Sequence, residues 1–241
     1  MTQFPNLAGM VLIPAYNEGA TIGRIVEESA WATGWPVLVI DDGSLDDTVA
    51  RAAAAGARVL PLVMNIGSWG AVQAGIRCAL EAGAELVVTM DADGQHLADH
   101  LYRLVEPIRA GDADVTIGAH VGRASAARLL AWRIFRAITG LGVEDLTSGF
   151  RGYNRAALRI LASPDATLLD YQDIGVLMLL READLRFLEV EVEMRPRTSG
   201  QSRVFSSWLR VARYLAVTLV LCVSKWEHSG PWVRNAQPRR T

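Results

Sequence analysis

Four short apolar runs, at residues 10–13, 37–40, 57–63 and 85–90, limit what this chain can fold into. The second is continuous in its apolar character, which suits a parallel strand buried on both faces. The segments between them read as helices. Ile22, Ile25 and Val26 recur at helical spacing after the first run, and Asp46, Asp47 and Thr48 open a helix after the second with acid at its N-terminus. A small-residue helix through Ala71, Ala74 and Gly75 follows the third, and a helix over 97–110 leads to a further apolar stretch at 114–118. Strand and helix alternate, so the expected class is α/β, a Rossmann-like, mostly parallel sheet flanked by helices.

Three of these strands end in polar, turn-forming residues. The first runs into Pro14-Ala15-Tyr16-Asn17-Glu18, the second into Asp41-Asp42-Gly43-Ser44, and the fourth into Asp91-Ala92-Asp93-Gly94-Gln95-His96. Buried carboxylates are costly without a partner, so these belong at the carboxyl edge of the sheet, where α/β folds bind ligands. If the three strands are neighbours, Glu18, Asp42, Asp91 and Asp93 share one crevice and repel one another unless a cation or donors intervene. Asp-x-Asp with a nearby amide oxygen suits a hard divalent cation holding phosphate. A nucleotide–metal site is the expectation.

The 51% hydrophobic and 21% charged composition describes a core-forming chain and excludes a disordered one, and 241 residues fit one large α/β domain. The net charge of −2 conceals a gradient. Residues 1–120 carry 6 Arg and 15 acidic residues, net −9, while residues 195–241 carry 9 basic residues against Glu227 alone, net +8. The acidic half suits metal; the basic tail suits an anionic membrane, phosphate or nucleic acid. Cys78 and Cys222 have no metal spacing and read as buried, reduced thiols. Residues 1–9 lack a basic region followed by an apolar core, so no signal peptide is expected.

The second half changes character. Residues 123–140 read as an Arg-studded amphipathic helix, 145–151 as a loop, and 170–183 as a helix. In the strand over 187–194, Glu189, Glu191 and Glu193 alternate with Leu188, Val190 and Val192, which predicts one solvated face. A basic loop at 195–203 precedes a final helix over about 204–226, apolar on nearly every face from Tyr214 to Val223. Ten apolar residues fall short of the ~20 that span a bilayer. That helix either lies in a membrane interface or packs on the domain or a second subunit, making a homo-oligomer. The chain thus divides into a domain at 1–203 and a C-terminal helix and tail at 204–241.

The motifs at 14–18, 41–48, 65–67 (Asn65-Ile66-Gly67), 91–96 and 147–151 (Thr147-Ser148-Gly149-Phe150-Arg151) stand in a recognisable order. With them the chain closely resembles the family 2 glycosyltransferases of GT-A fold over about residues 8–205. Within that family it is most similar to dolichol- or polyprenol-phosphate mannosyltransferases and related bacterial enzymes. The resemblance implies inverting transfer of a sugar from a nucleotide-sugar, GDP-mannose or a UDP-sugar, to a polyprenyl phosphate. It also implies a cytoplasmic protein peripherally associated with the inner face of the cell membrane. Carried over, Pro14, Ala15, Tyr16, Glu18, Ile40 and Asp42 hold the base and ribose. Asp91, Ala92, Asp93 and Gln95 surround the diphosphate. Asp91, Asp93 and Gln95 form the metal set, with Asp93 and Gln95 as the direct ligands of Mg²⁺ or Mn²⁺.

Ser148 and Arg151 resemble the acceptor-side loop, and Arg195, Arg197, Ser202 and Arg203 the basic loop that meets the phosphates, where a guanidinium can take two oxygens at once. A phosphate acceptor is already an anion and needs no general base; a hydroxyl acceptor does, and Asp145 is then the catalytic candidate. Two departures from the family pattern bear on the donor: Gly118-Ala119-His120 where relatives often carry Gly-Ser-Arg, and Trp69 where a small residue is usual. His96 and His100 read as helix-start or surface residues, Trp31 and Trp35 as packing. Transfer to a saccharide hydroxyl in surface-polysaccharide synthesis is the second enzymatic reading. A non-catalytic nucleotide-sugar-binding protein is the rival, and the intact acidic motifs argue against it. No nucleic-acid role is expected, because the basic tail lacks the interleaved aromatics that grip single strands.

Overall fold

A computed structural model describes residues 9–120, 143, 145, 148–169 and 174–195. The expected helices over 123–140 and 204–226, the C-terminal tail, Cys222 and the basic-loop residues Arg197, Ser202 and Arg203 lie outside the described residues. Seven strands form one mixed sheet: β1 (Gly9–Ala15), β2 (Val37–Asp41), β3 (Arg58–Pro61), β4 (Leu86–Thr89), β5 (Val115–Ala119), β6 (Arg151–Asn154) and β7 (Phe187–Glu191). The spatial order is β3-β2-β1-β4-β6-β5-β7. The β1–β2, β2–β3, β1–β4 and β5–β7 pairs are parallel, and β6 runs antiparallel to both β4 and β5.

Helices cover both faces: α1 (Ile22–Thr33), α2 (Thr48–Ala54), α3 (Gly67–Glu81), α4 (Leu101–Arg109), α5 (Arg155–Leu161), α6 (Pro164–Thr167) and α7 (Ile174–Glu182). The side-chain period of two sends Met10, Leu12, Leu38 and Ile40 to one face, beneath α3, α5 and α7. Val11, Ile13, Val37 and Val39 go to the other, beneath α1 and α4. That two-sided burial is why the strands read as unbroken apolar runs. α1 buries Ile22, Ile25, Val26, Ser29 and Thr33 along one stripe and ends at Gly34, whose φ of 70° closes the helix with its N–H on the Ala30 carbonyl at 2.8 Å. α3 lies close on the sheet because Gly75 has no side chain: a Cβ there would sit 2.7 Å from Ile40 Cδ1.

Several expectations are corrected. The third strand stops at Pro61, and Val63, Met64 and Ile66 are exposed in the loop beyond it. The predicted helix over 97–110 is a 3₁₀ turn, Ala98–His100, leading into α4. Arg151 is not a loop residue but begins β6, and α5 and α6 follow where no element was anticipated. β6 escapes a sequence pattern because it is only four residues long with Gly152 in its interior. β7 ends at Glu191 and breaks the predicted alternation: Leu188 is 41% exposed, while Glu189 is half-buried and accepts the Asp145 N–H at 2.7 Å. Of the two histidines read as helix-start or surface residues, His100 stands at the start of α4, and both are buried.

Candidate active site

The register brings three strand ends side by side. Ala15 stands opposite Asp41, and Leu12 opposite Thr89, so the β1, β2 and β4 carboxyl ends open onto one edge. The chain runs from β1 out to β2 and β3, then returns to β4 on the other side of β1. That reversal is the switch point at which open α/β sheets leave a crevice for ligands.

The loop after β1 is held by the loop after β2. The Asn17 N–H donates to Ser44 Oγ at 2.9 Å and the Leu45 N–H returns to Asn17 Oδ1 at 2.8 Å. The Glu18 N–H donates to Thr48 Oγ1 and the Gly19 N–H to Asp46 Oδ2. Asp46 also accepts the Thr48 N–H at 3.0 Å and the Thr48 hydroxyl. Burial works against the charge on Asp46, but the bonds from the Thr48 side chain and the Gly19 and Thr48 N–H groups outweigh it and lower its pKa. Half-buried Tyr16 and Glu18 and the strand-end residues Pro14 and Ala15 are thereby set at the crevice.

Asp42 is buried, and its carboxylate caps α3: Oδ1 accepts the Ile66 N–H at 2.7 Å and Oδ2 the Gly67 N–H at 3.0 Å. Asn65 Nδ2 donates to the Asp42 carbonyl. The Ile40 side chain belongs to the core against Gly75, so only its backbone faces the edge.

At β4 the acidic turn is compact. Gly94 takes φ 76°, and the Asp93 Oδ1 accepts the Gln95 N–H at 3.0 Å. The buried Ala92 carbonyl accepts the Thr21 hydroxyl at 2.7 Å, pinning the turn to the start of α1. Gln95 is bonded through its carbonyl to the Arg195 N–H at 2.8 Å, and the Arg195 guanidinium lies 3.7 Å from Glu28. The basic loop therefore begins beside the acidic turn.

On the far side, Thr89 Oγ1 donates to the Gly149 carbonyl at 2.7 Å, and Ser148 Oγ accepts the Phe150 N–H at 3.2 Å. Arg151 is fully buried, opposite Thr89 in β4 and Ile117 in β5. Asp145 is buried as well. His120 sits at the end of β5, its Nδ1–H on the Val192 carbonyl at 3.0 Å. His100 Nδ1 accepts the Glu193 N–H; burial and the neighbouring Arg103 push its pKa down and keep it a neutral acceptor. Trp69 faces the core, its Nε1–H on the Ala166 carbonyl at 2.7 Å, and does not line the crevice. Trp35 packs as expected, whereas Trp31 is exposed.

The structure thus gathers Pro14, Ala15, Tyr16, Glu18, Asp42, Asp91, Ala92, Asp93 and Gln95 at one edge. The residues that sequence reasoning overlooked are those that hold the loops: Thr21, Asp46, Thr48, Thr89 and Gly149. Asp46 and Thr48 carried a signal through their places in the 41–48 motif, and Gly149 through its place in the 147–151 motif. Among the described residues, no three His, Cys, Asp or Glu side chains converge closely enough to hold a metal ion unaided. Two carboxylates and an amide on one turn nevertheless fit Mg²⁺ or Mn²⁺, which take one or two protein carboxylates and complete their shell with substrate phosphate and water. No helix among those residues is long and apolar enough to cross a membrane.

Comparison with known proteins agrees with this geometry. The chain is 31% identical over 249 residues to the undecaprenyl-phosphate mannosyltransferase of Micrococcus luteus, covering 92% of this chain and 95% of that one. It is 30% identical to the polyprenol monophosphomannose synthase of Mycolicibacterium smegmatis, over 87% and 86% of the two chains. Its fold superposes on the crystal structure of glucosyl-3-phosphoglycerate synthase from Mycobacterium tuberculosis in complex with Mn²⁺, UDP and phosphoglyceric acid. That match has a TM-score of 0.70 at 21% identity over 90% of this chain and 79% of that one, and bears out the GT-A fold. The model of glycosyl transferase family 2 matches residues 10–161, which hold every strand end of the crevice, and the chain is a member of that family.

Proposed function

We propose that this enzyme moves a sugar from a nucleotide-sugar to a polyprenyl phosphate, with inversion at the sugar carbon. Mannose is favoured, because both relatives named above are mannosyl enzymes acting on polyprenyl carriers. The observation that carries the reading is the meeting of the β1, β2 and β4 ends at the switch point, with Asp91, Asp93 and Gln95 on one turn.

In this reading Pro14, Ala15, Tyr16, Glu18, Ile40 and Asp42 seat the base and ribose, Ile40 through its backbone. Asp93 and Gln95 hold the divalent cation, with Asp91 beside them. The cation supplies neutralisation of the charge that gathers on the departing diphosphate. The acceptor phosphate oxygen attacks the anomeric carbon from the face opposite the leaving group, one C–O bond forming as the other breaks. That oxygen is already anionic, so no side chain has to take a proton, and Asp145 is not needed as a base. Ser148 and Arg151 shape the acceptor side; Arg197, Ser202 and Arg203 close on the phosphates. The basic, apolar stretch from residue 204 holds the enzyme at the membrane surface, on the cytoplasmic side where nucleotide-sugars are made.

The test is incubation with a polyprenyl phosphate, Mn²⁺ or Mg²⁺, and a panel of labelled nucleotide-sugars. Label should pass into a lipid-extractable product, from GDP-mannose before any UDP-sugar. Label appearing only on a saccharide hydroxyl, or no transfer from any donor, would overturn the reading.

A further inference from the structure

A buried histidine stands behind the acidic turn. His96 is 3% exposed, and its Nε2 lies 3.1 Å from Asp91 Oδ2. Its ring stacks on Phe150, with centroids 4.7 Å apart and planes inclined by 25°. An antiparallel bridge to Met194 fixes its backbone. Its Nδ1 is buried with no hydrogen-bond partner among the described residues. A proton on Nδ1 would be a buried donor with no acceptor, whereas a bare lone pair there costs less. The tautomer with hydrogen on Nε2 therefore fits the site and donates to Asp91.

Gly149 closes on the same carboxylate from another side. A Cβ at Gly149 would lie 2.9 Å from Asp91 Oδ1, and the Thr89 hydroxyl holds the Gly149 carbonyl in place. Asp91 nonetheless keeps 45% of its side chain exposed. The carboxylate is held and reachable at once.

We propose that His96 is a positioning residue: its Nε2–H fixes the Asp91 carboxylate in the orientation that meets the donor nucleotide. The inference rests on the reading of the acidic turn as a nucleoside-diphosphate site. Fixing a half-exposed carboxylate before the ligand arrives removes the ordering cost from binding. Phe150 supports the ring, so the loop that leads into β6 on the acceptor side also sets the geometry of a donor-side carboxylate.

The experiment is calorimetric titration of GDP and UDP, with Mn²⁺, into the full chain and six variants, four single and two double. His96→Phe keeps the ring stack and loses the donor; His96→Gln places an amide N–H where Nε2–H stood. Losing an outer partner of a ligand group typically costs 10–100-fold in affinity. His96→Phe should therefore weaken binding by about tenfold or more, and His96→Gln should recover most of it. In an Asp91→Asn background, His96→Phe should add no further loss. Gly149→Ala, which displaces the same carboxylate by pushing on its flexible end, should weaken binding in the parent and not in Asp91→Asn. It keeps the test decisive if His96→Phe fails to fold. Parent-like binding by His96→Phe, failure of His96→Gln to recover, or losses that add in Asp91→Asn would overturn the inference while the functional reading stands. No binding of either nucleotide by the parent chain would overturn both.

Discussion

The two sides of the crevice are built by different means. On the β2 side, side chains reach neighbouring backbones: Ser44 and Thr48 accept N–H groups from the 15–19 loop, Asp46 holds Gly19, and Asp42 caps α3 with both oxygens. On the β6 side, close packing and burial stand beside the Thr89–Gly149 and Ser148–Phe150 hydrogen bonds: Gly149 lies against Asp91, His96 on Phe150, Gly152 beneath α4 and Arg151 inside the sheet. Several polar residues that read as ligand contacts on the first side thus also carry the fold. The second side depends on small residues whose role is to let other groups approach.

Loss of an anchoring acceptor should cost more than loss of a packing glycine. Asp42→Ala removes two charge-assisted hydrogen bonds to part-buried N–H groups and a carboxylate from the α3 N-terminus, so it should destabilise by about 2–4 kcal/mol in denaturant unfolding. Gly152→Ala puts a Cβ on the Thr116 hydroxyl and 3.2 Å from the Leu104 carbonyl, and should cost about 1–3 kcal/mol by overpacking. A larger loss in Gly152→Ala than in Asp42→Ala would reverse the contrast.

The smallest effect should be a pH-dependent one, away from the crevice, where β5 meets β7. Asp114 accepts Asn154 Nδ2 at 2.8 Å and the Arg186 N–H and guanidinium at 2.9 and 3.0 Å. Burial raises its pKa, but the Arg186 bonds and charge, with Asn154, outweigh that and leave it below the usual carboxylate value. A lowered pKa stabilises the fold in full above the unfolded value of roughly 3.9 and loses that stabilisation as pH falls through the folded value. Asp114→Asn should therefore be about 1 kcal/mol less stable than the parent near neutrality, and the difference should close in acid. A gap that persists in acid would assign the effect to shape rather than charge.

The same contrast explains what was legible in the sequence. The β1, β2 and β4 ends were readable because continuous apolar runs stop at carboxylates, and the ordered motifs placed them in one family. The buried state of His96 was not, because it depends on Met194 and Phe150, which come from distant parts of the chain. β6 was missed for a related reason: a four-residue antiparallel strand with a glycine inside is specified by its neighbours, not by a pattern of its own. Trp69 looked like a departure at the donor site, yet its helix turns it into the core, where it bonds to Ala166.

The central claim is that the turn after β4 is where a nucleoside diphosphate meets a divalent cation. Its most direct test is titration of GDP and UDP into the parent chain and Asp93→Ala, each with and without Mn²⁺. The account predicts binding that requires Mn²⁺ and is lost in Asp93→Ala while the variant keeps its fold by thermal melting. Equal binding by Asp93→Ala, or binding indifferent to the metal, would contradict it.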